Sequence, residues 1–248
     1  MAPTDAANDD AANDDATHDV RDLAYGVAGV LAVVVAVTIA SAVFRGAALA
    51  SGPATVARAY LPVWVPMLLA VALAVRGRSA GRLLGLRLGP LDVLWAIGGG
   101  FAARVVDAAV ALGVTGSTGL VPAPTLGGAI TPWFVVSVVL VPVVIAPFVE
   151  ELLFRGLLQR SATRLLHRRM PRVPSAVVAV VATSVLFALL HVALTPSTTS
   201  AVLLVEFIGT FALGVAAGAI AAATGRIGGA ILAHAVFNAV AVLLTWPA

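Results

Sequence analysis

Glu150 and Glu151 are adjacent carboxylates at the end of a long apolar run, in the stretch Phe148-Val149-Glu150-Glu151-Leu152-Leu153-Phe154-Arg155-Gly156. At helical spacing, Glu151 and Arg155 lie one above the other and can pair. Glu150 points about 100° away and is left without that partner. Ionisable groups next to hydrocarbon are costly and usually mark function. Taken alone, the stretch also fits a solvated helix start just past a membrane edge.

Two later stretches weigh against that plainer reading. Val185-Leu186-Phe187-Ala188-Leu189-Leu190-His191 places a histidine in an apolar run, as a hydrogen-bonded structural group or a chemical one. Ile231-Leu232-Ala233-His234-Ala235-Val236-Phe237-Asn238 adds a second histidine with an asparagine four residues on, so both project from one helix face. Of the other two histidines, His18 lies in an acidic tail and His167 in an arginine-rich loop, and both read as solvated. Polar groups in apolar spans tend to face the bundle interior and find one another. Convergence of the three stretches on one site is the simplest way to satisfy them.

The family resemblance that these motifs carry, to the CPBP intramembrane proteases, implies peptide hydrolysis, and the residues can be weighed against that chemistry. It needs a nucleophile, a base and a polariser for the carbonyl. The chain has no cysteine and no lysine, and no serine or threonine stands in an obvious nucleophile position near the motifs. Water is then the nucleophile and Glu150 the general base. His191 can hold or activate the water. His234 and Asn238 can donate to the tetrahedral oxyanion. Glu151 with Arg155 is the structural pair. A zinc set of Glu150, His191 and His234 with one open position is the competing arrangement. It lacks the His-Glu-x-x-His spacing of helix-borne zinc proteases, so hydrolysis without a metal cofactor is the reading adopted.

These groups must be positioned by membrane helices. The chain has 248 residues and only 11% charged residues, with a mean hydropathy of +1.04. Soluble domains are about a quarter charged. The absence of cysteine excludes a disulfide framework and thiolate metal sites. All fifteen basic residues are arginine, which excludes a Schiff-base or phosphate-loop lysine. Net charge is +3, and nothing points to nucleic acid.

The expected fold is an all-α polytopic transmembrane bundle of about seven spans, seven to eight at most. Apolar runs near 23–44, 55–75, 91–113, 131–158, 175–195, 200–223 and 228–246 are long enough to cross a bilayer. Residues 1–22 hold seven of the twelve acids and read as a disordered tail, with no basic start for a signal peptide. Residues 23–248 read as one membrane-embedded domain. Arginines crowd the second and fourth connections, which puts these and the N-terminus on the cytoplasmic side. Residues 114–130, rich in Gly, Thr, Ser and Pro, read as an outer loop. Pro142 and Pro147 interrupt the fourth run, as a harmless kink or as a bend that aims Glu150 into the bundle. One unbroken helix is expected from about Pro147 past Leu158, with Arg155 held inside. Arg104 and Asp107, three apart, read as a neutralising pair rather than a substrate contact. Glu206 needs a partner or lines a groove. Gly209, Gly214 and Gly218 mark a close helix contact.

Taken in order, Glu-Glu-x-x-x-Arg at 150–155, Phe-x-x-x-His at 187–191 and His-x-x-x-Asn at 234–238 resemble the CPBP intramembrane protease family, also called the ABI or type II CAAX prenyl protease family. Phe211-x-x-Gly214-x-x-x-Gly218 and Thr224-Gly225-Arg226-Ile227 extend the resemblance, which covers roughly residues 131–246. Some members of that family have eight helices against the seven counted here. Asparagine or aspartate is common at the position of Asn238. The resemblance implies an intramembrane endopeptidase that uses glutamate-activated water on a membrane-anchored, lipidated substrate, in the plasma membrane of a prokaryote. Two other classes remain open: a scaffold or bacteriocin-immunity protein without proteolysis, and a small transporter, although no internal repeat is evident.

Overall fold

The computed structural model of the chain describes residues 4–45, 52–122 and 130–247, with side chains from residue 15 onward. Among these residues every regular element is a helix. We number the helices α1 (Thr4–Val43), α2 (Pro53–Val75), α3 (Ala80–Leu84), α4 (Pro90–Thr115), α5 (Pro132–His167), α6 (Arg172–Leu194), α7 (Ser200–Thr224) and α8 (Gly228–Leu244). Six of them are long and apolar enough to cross a membrane, and α8 is a shorter apolar helix. The seven expected runs therefore map onto α1, α2 and α4 to α8. Large apolar side chains such as Leu31, Leu69, Trp95 and Val177 point outward, the arrangement expected where the solvent is lipid.

Helix ends follow local chemistry. Pro53, Pro90 and Pro132 each open a helix, where a missing N–H costs nothing. Thr131 Oγ1 accepts from the Phe134 N–H at 3.1 Å and caps α5. Gly116 and Gly225 close α4 and α7 in the left-handed conformation. Residues 116–122 of the expected outer loop are non-helical, and 123–129 lie outside the described residues.

The acidic segment read from composition as a tail over residues 1–22 is drawn into α1, which runs from Thr4 without a break. Asp19 and Asp22 are buried. Asp22 accepts from Arg78 at 2.5 and 3.0 Å, and Asp19 from Arg164 at 2.5 Å. The acids are solvated in a tail only if no cation reaches them. Here the arginine-rich segments after α2 and within α5 supply partners that composition cannot reveal.

α7 is the inner helix and packs against α6, α4 and α8. The close approach expected from its glycines is present, on two sides. A Cβ on Gly214 would lie 2.8 Å from Ser184 of α6, and one on Gly218 would lie 2.8 Å from Gln159 of α5. A Cβ on Gly209 would collide with the Asp107 carboxylate of α4. α5 is continuous through Glu150 to His167, as expected, but it is wound as a π-helix over Val136–Ile145 and Leu152–Gln159. Such wider turns cluster at functional sites.

Candidate active site

Glu151, Arg155 and the two histidines are held by one packed block. Arg155 is completely enclosed. Its Nη1 donates to Glu151 Oε1 at 2.8 Å, and its Nη2 to the Gly214 carbonyl at 3.0 Å. The guanidinium also lies 4.7 Å from the Phe187 ring centre. The expected i, i+4 pair is thus present, and it also ties α5 to α6 and α7. Phe187 packs edge-on against Phe154 at 5.0 Å and touches both histidine rings, at 4.3 Å for His191 and 5.8 Å for His234.

Both imidazoles are oriented through Nδ1. His191 Nδ1 lies 2.9 Å from the Phe187 carbonyl, one turn back on α6. His234 Nδ1 lies 2.9 Å from Glu151 Oε1. Glu151 therefore serves two partners, and its role extends beyond the structural pair read from spacing. A carbonyl and a carboxylate both accept, so each Nδ1 carries its ring's proton and each Nε2 is left free. Those two Nε2 atoms face the same carboxylate oxygen: Glu150 Oε2 is 3.7 Å from His191 Nε2 and 3.9 Å from His234 Nε2. Glu150 Oε2 is buried and makes no hydrogen bond to the described protein.

Glu150, His191, His234 and Asn238 all line one cavity of about 620 Å³. The four residues singled out from sequence thus meet in space. Asn238 is partly committed, since its Nδ2 donates to the Pro142 carbonyl at 2.6 Å. The π-turn explains the match. In that winding the Pro142 carbonyl would bond the N–H of residue 147, which is proline and has none. Asn238 satisfies the freed oxygen, and one Nδ2–H remains for other work.

The opposite cavity wall comes from α2, α4 and α7. Arg104 donates to Asp107 Oδ2 at 2.7 Å and to the Phe237 carbonyl at 3.0 Å, and stacks 3.4 Å from the Phe237 ring centre. The expected pair is present, and both members also line the cavity with Glu206 and Tyr60. Tyr60 escaped the sequence reading because a lone tyrosine in an apolar helix carries no spacing signal. His18 and His167 are exposed and take no part.

Residues 132–240 match the family of type II CAAX prenyl endopeptidase Rce1-like proteins. The match includes Glu150, His191, His234 and Asn238, and leaves α1, α2 and α4 outside. No curated protein and no solved structure shows a significant match to the chain.

Proposed function

We propose that this protein is an intramembrane endopeptidase that works through glutamate-activated water, a reading supported by the match of residues 132–240 to the type II CAAX prenyl endopeptidase Rce1-like family. One observation carries the reading. Three lone-pair atoms, Glu150 Oε2, His191 Nε2 and His234 Nε2, face one another at the cavity wall, and both rings have spent their proton elsewhere. A water between them supplies two O–H donors to such a set.

The proposed sequence conserves atoms and charge. The water oxygen bonds the substrate carbonyl carbon while Glu150 takes its proton. The remaining Asn238 N–H donates to the developing oxyanion, joined by His234 Nε2 when that ring holds a second proton. The C–N bond then breaks, and Glu150 returns the proton to the departing amine. His191 positions the water, and Glu151 with Arg155 fixes His234.

The substrate proposed is a membrane-anchored protein or peptide, lipidated in the sense of the family's description. The arginine distribution supports a cytoplasmic N-terminus, and the location proposed is the plasma membrane of a prokaryote. A second reading places zinc on Glu150, His191 and His234. It is favoured by both Nε2 atoms facing one carboxylate with Nδ1 anchored, the arrangement found behind ligating histidines. As placed, no group of three such donors among the described residues has the spacing to hold a metal ion. The metal-free reading stays first because the motifs lack the His-Glu-x-x-His spacing of helix-borne zinc proteases.

The test is Glu150→Gln in purified full-length protein, assayed on prenylated and unprenylated membrane-anchored peptides. The amide keeps the shape and cannot act as base, so cleavage should be lost with an unchanged Tm. Cleavage retained by this variant would exclude Glu150 as base. A wild-type protein inert on every such peptide would favour the scaffold class.

A further inference from the structure

We propose that the protein binds the phosphate headgroup of an anionic phospholipid in a basic pocket between α5, α6 and α7. This site is separate from the Glu150 cavity and independent of its chemistry. The pocket has a volume of about 290 Å³ and is lined by Arg160, Arg164, His167 and Arg172, with no acidic residue. Its floor is apolar and small, from Ala176, Ala221 and Ala222.

The charges in this pocket are incompletely matched within the protein. Arg164 is matched, pairing with Asp19 at 2.5 Å and with Asp22 at 3.8 Å, so the unmatched charge lies on Arg160 and Arg172. Arg160 gives one nitrogen to the Gly225 carbonyl at 2.9 Å, while its buried Nε has no partner among the described residues. Arg160 and Arg164 are four apart on one helix, a spacing at which like charges repel. Arg172 and His167 are exposed and make no ion pair with the described residues. A single anion in the pocket would relieve that repulsion and engage several donors at once, with the geometry in which arginine grips phosphate oxygens.

Location selects a lipid. The pocket lies where α5 ends, α6 begins and α7 ends, so it sits at one edge of the apolar bundle. Val173 and Val177, beside Arg172 and Ala176 on α6, face outward. A polar rim above small apolar side chains and an outward hydrocarbon face accommodates a headgroup and the first acyl carbons. Basic pockets between membrane helices bind anionic headgroups in this manner.

The experiment is thermal unfolding of the full chain in neutral detergent, titrated in separate arms with phosphatidylglycerol, phosphatidylcholine of the same chains, and inorganic phosphate. Phosphatidylglycerol at about a hundred times its Kd should raise Tm by roughly 5 °C or more, saturably, with little response to the other two. In Arg172→Gln/His167→Gln protein the lipid concentration for half the shift should rise about tenfold. Arg172→Glu should abolish the shift, whereas Arg45→Gln, outside the pocket, should retain it. An equal shift with inorganic phosphate would overturn the lipid assignment in favour of a free-anion site. An equal response to phosphatidylcholine, or an unchanged response in the Arg172 variants, would overturn the site altogether.

Discussion

Asn238 on α8 donates to the carbonyl oxygen of Pro142 on α5 at 2.6 Å, filling a bond that Pro147 cannot make. The helix that carries Glu150 is therefore braced, two turns before the carboxylate, by a residue of the candidate site itself. Asn238→Ala should expose this defect twice. The orphaned carbonyl should cost about 1–3 kcal/mol, read as a lower Tm, and hydrolysis should fall as well. An unchanged Tm with lost activity would assign Asn238 to the oxyanion alone.

Glu151→Gln should be more damaging to stability than Glu150→Gln. Glu151 and Arg155 are both enclosed and bonded at 2.8 Å. Removing one partner of a buried ion pair strands the other, at about 3–5 kcal/mol. Because His234 Nδ1 also rests on Glu151, the folded fraction should lose activity too. Thermal unfolding and specific activity on the same preparation separate the two effects. A Glu151→Gln protein as stable as wild type would show that Arg155 is satisfied by Gly214 and Phe187.

Chelators should leave activity in place. Incubation with a strong zinc chelator, followed by elemental analysis and assay, checks this directly. Activity that disappears with stoichiometric zinc and returns on its re-addition would move the reading to the zinc alternative.

Glycine substitutions should sort by what faces them. In Gly209→Ala the new Cβ would fall 2.0 Å from Asp107 Oδ1, so the Arg104 pair must shift. Overpacking of this kind costs about 1–3 kcal/mol. Gly98→Ala on α4 meets nothing within 4 Å, and should be neutral or stabilising by up to about 1 kcal/mol through helix propensity. Similar Tm values for the two variants would contradict the close approach of α4 and α7.

Several of these relationships were legible from spacing, and the reason is geometric. Glu151 with Arg155, Arg104 with Asp107, and His234 with Asn238 each sit within one helix, where a three- or four-residue separation places two side chains on one face. Apolar run length likewise marked the membrane helices, because hydrocarbon thickness sets a minimum number of turns. The order of the three motifs pointed to one site, since charge in an apolar bundle must find company. Contacts between helices lay beyond that reach. That His234 leans on Glu151, that Asn238 caps Pro142, that Tyr60 and Glu206 share the cavity, and that Asp19 and Asp22 meet arginines all depend on helix register and crossing. These are decided by shape, for instance by Gly214 letting α7 close on Ser184, so that Arg155 can reach the backbone of α7. Periodicity along one helix carries no record of which turn of a neighbour it will face, and only the packed bundle brings Glu150 between two histidines.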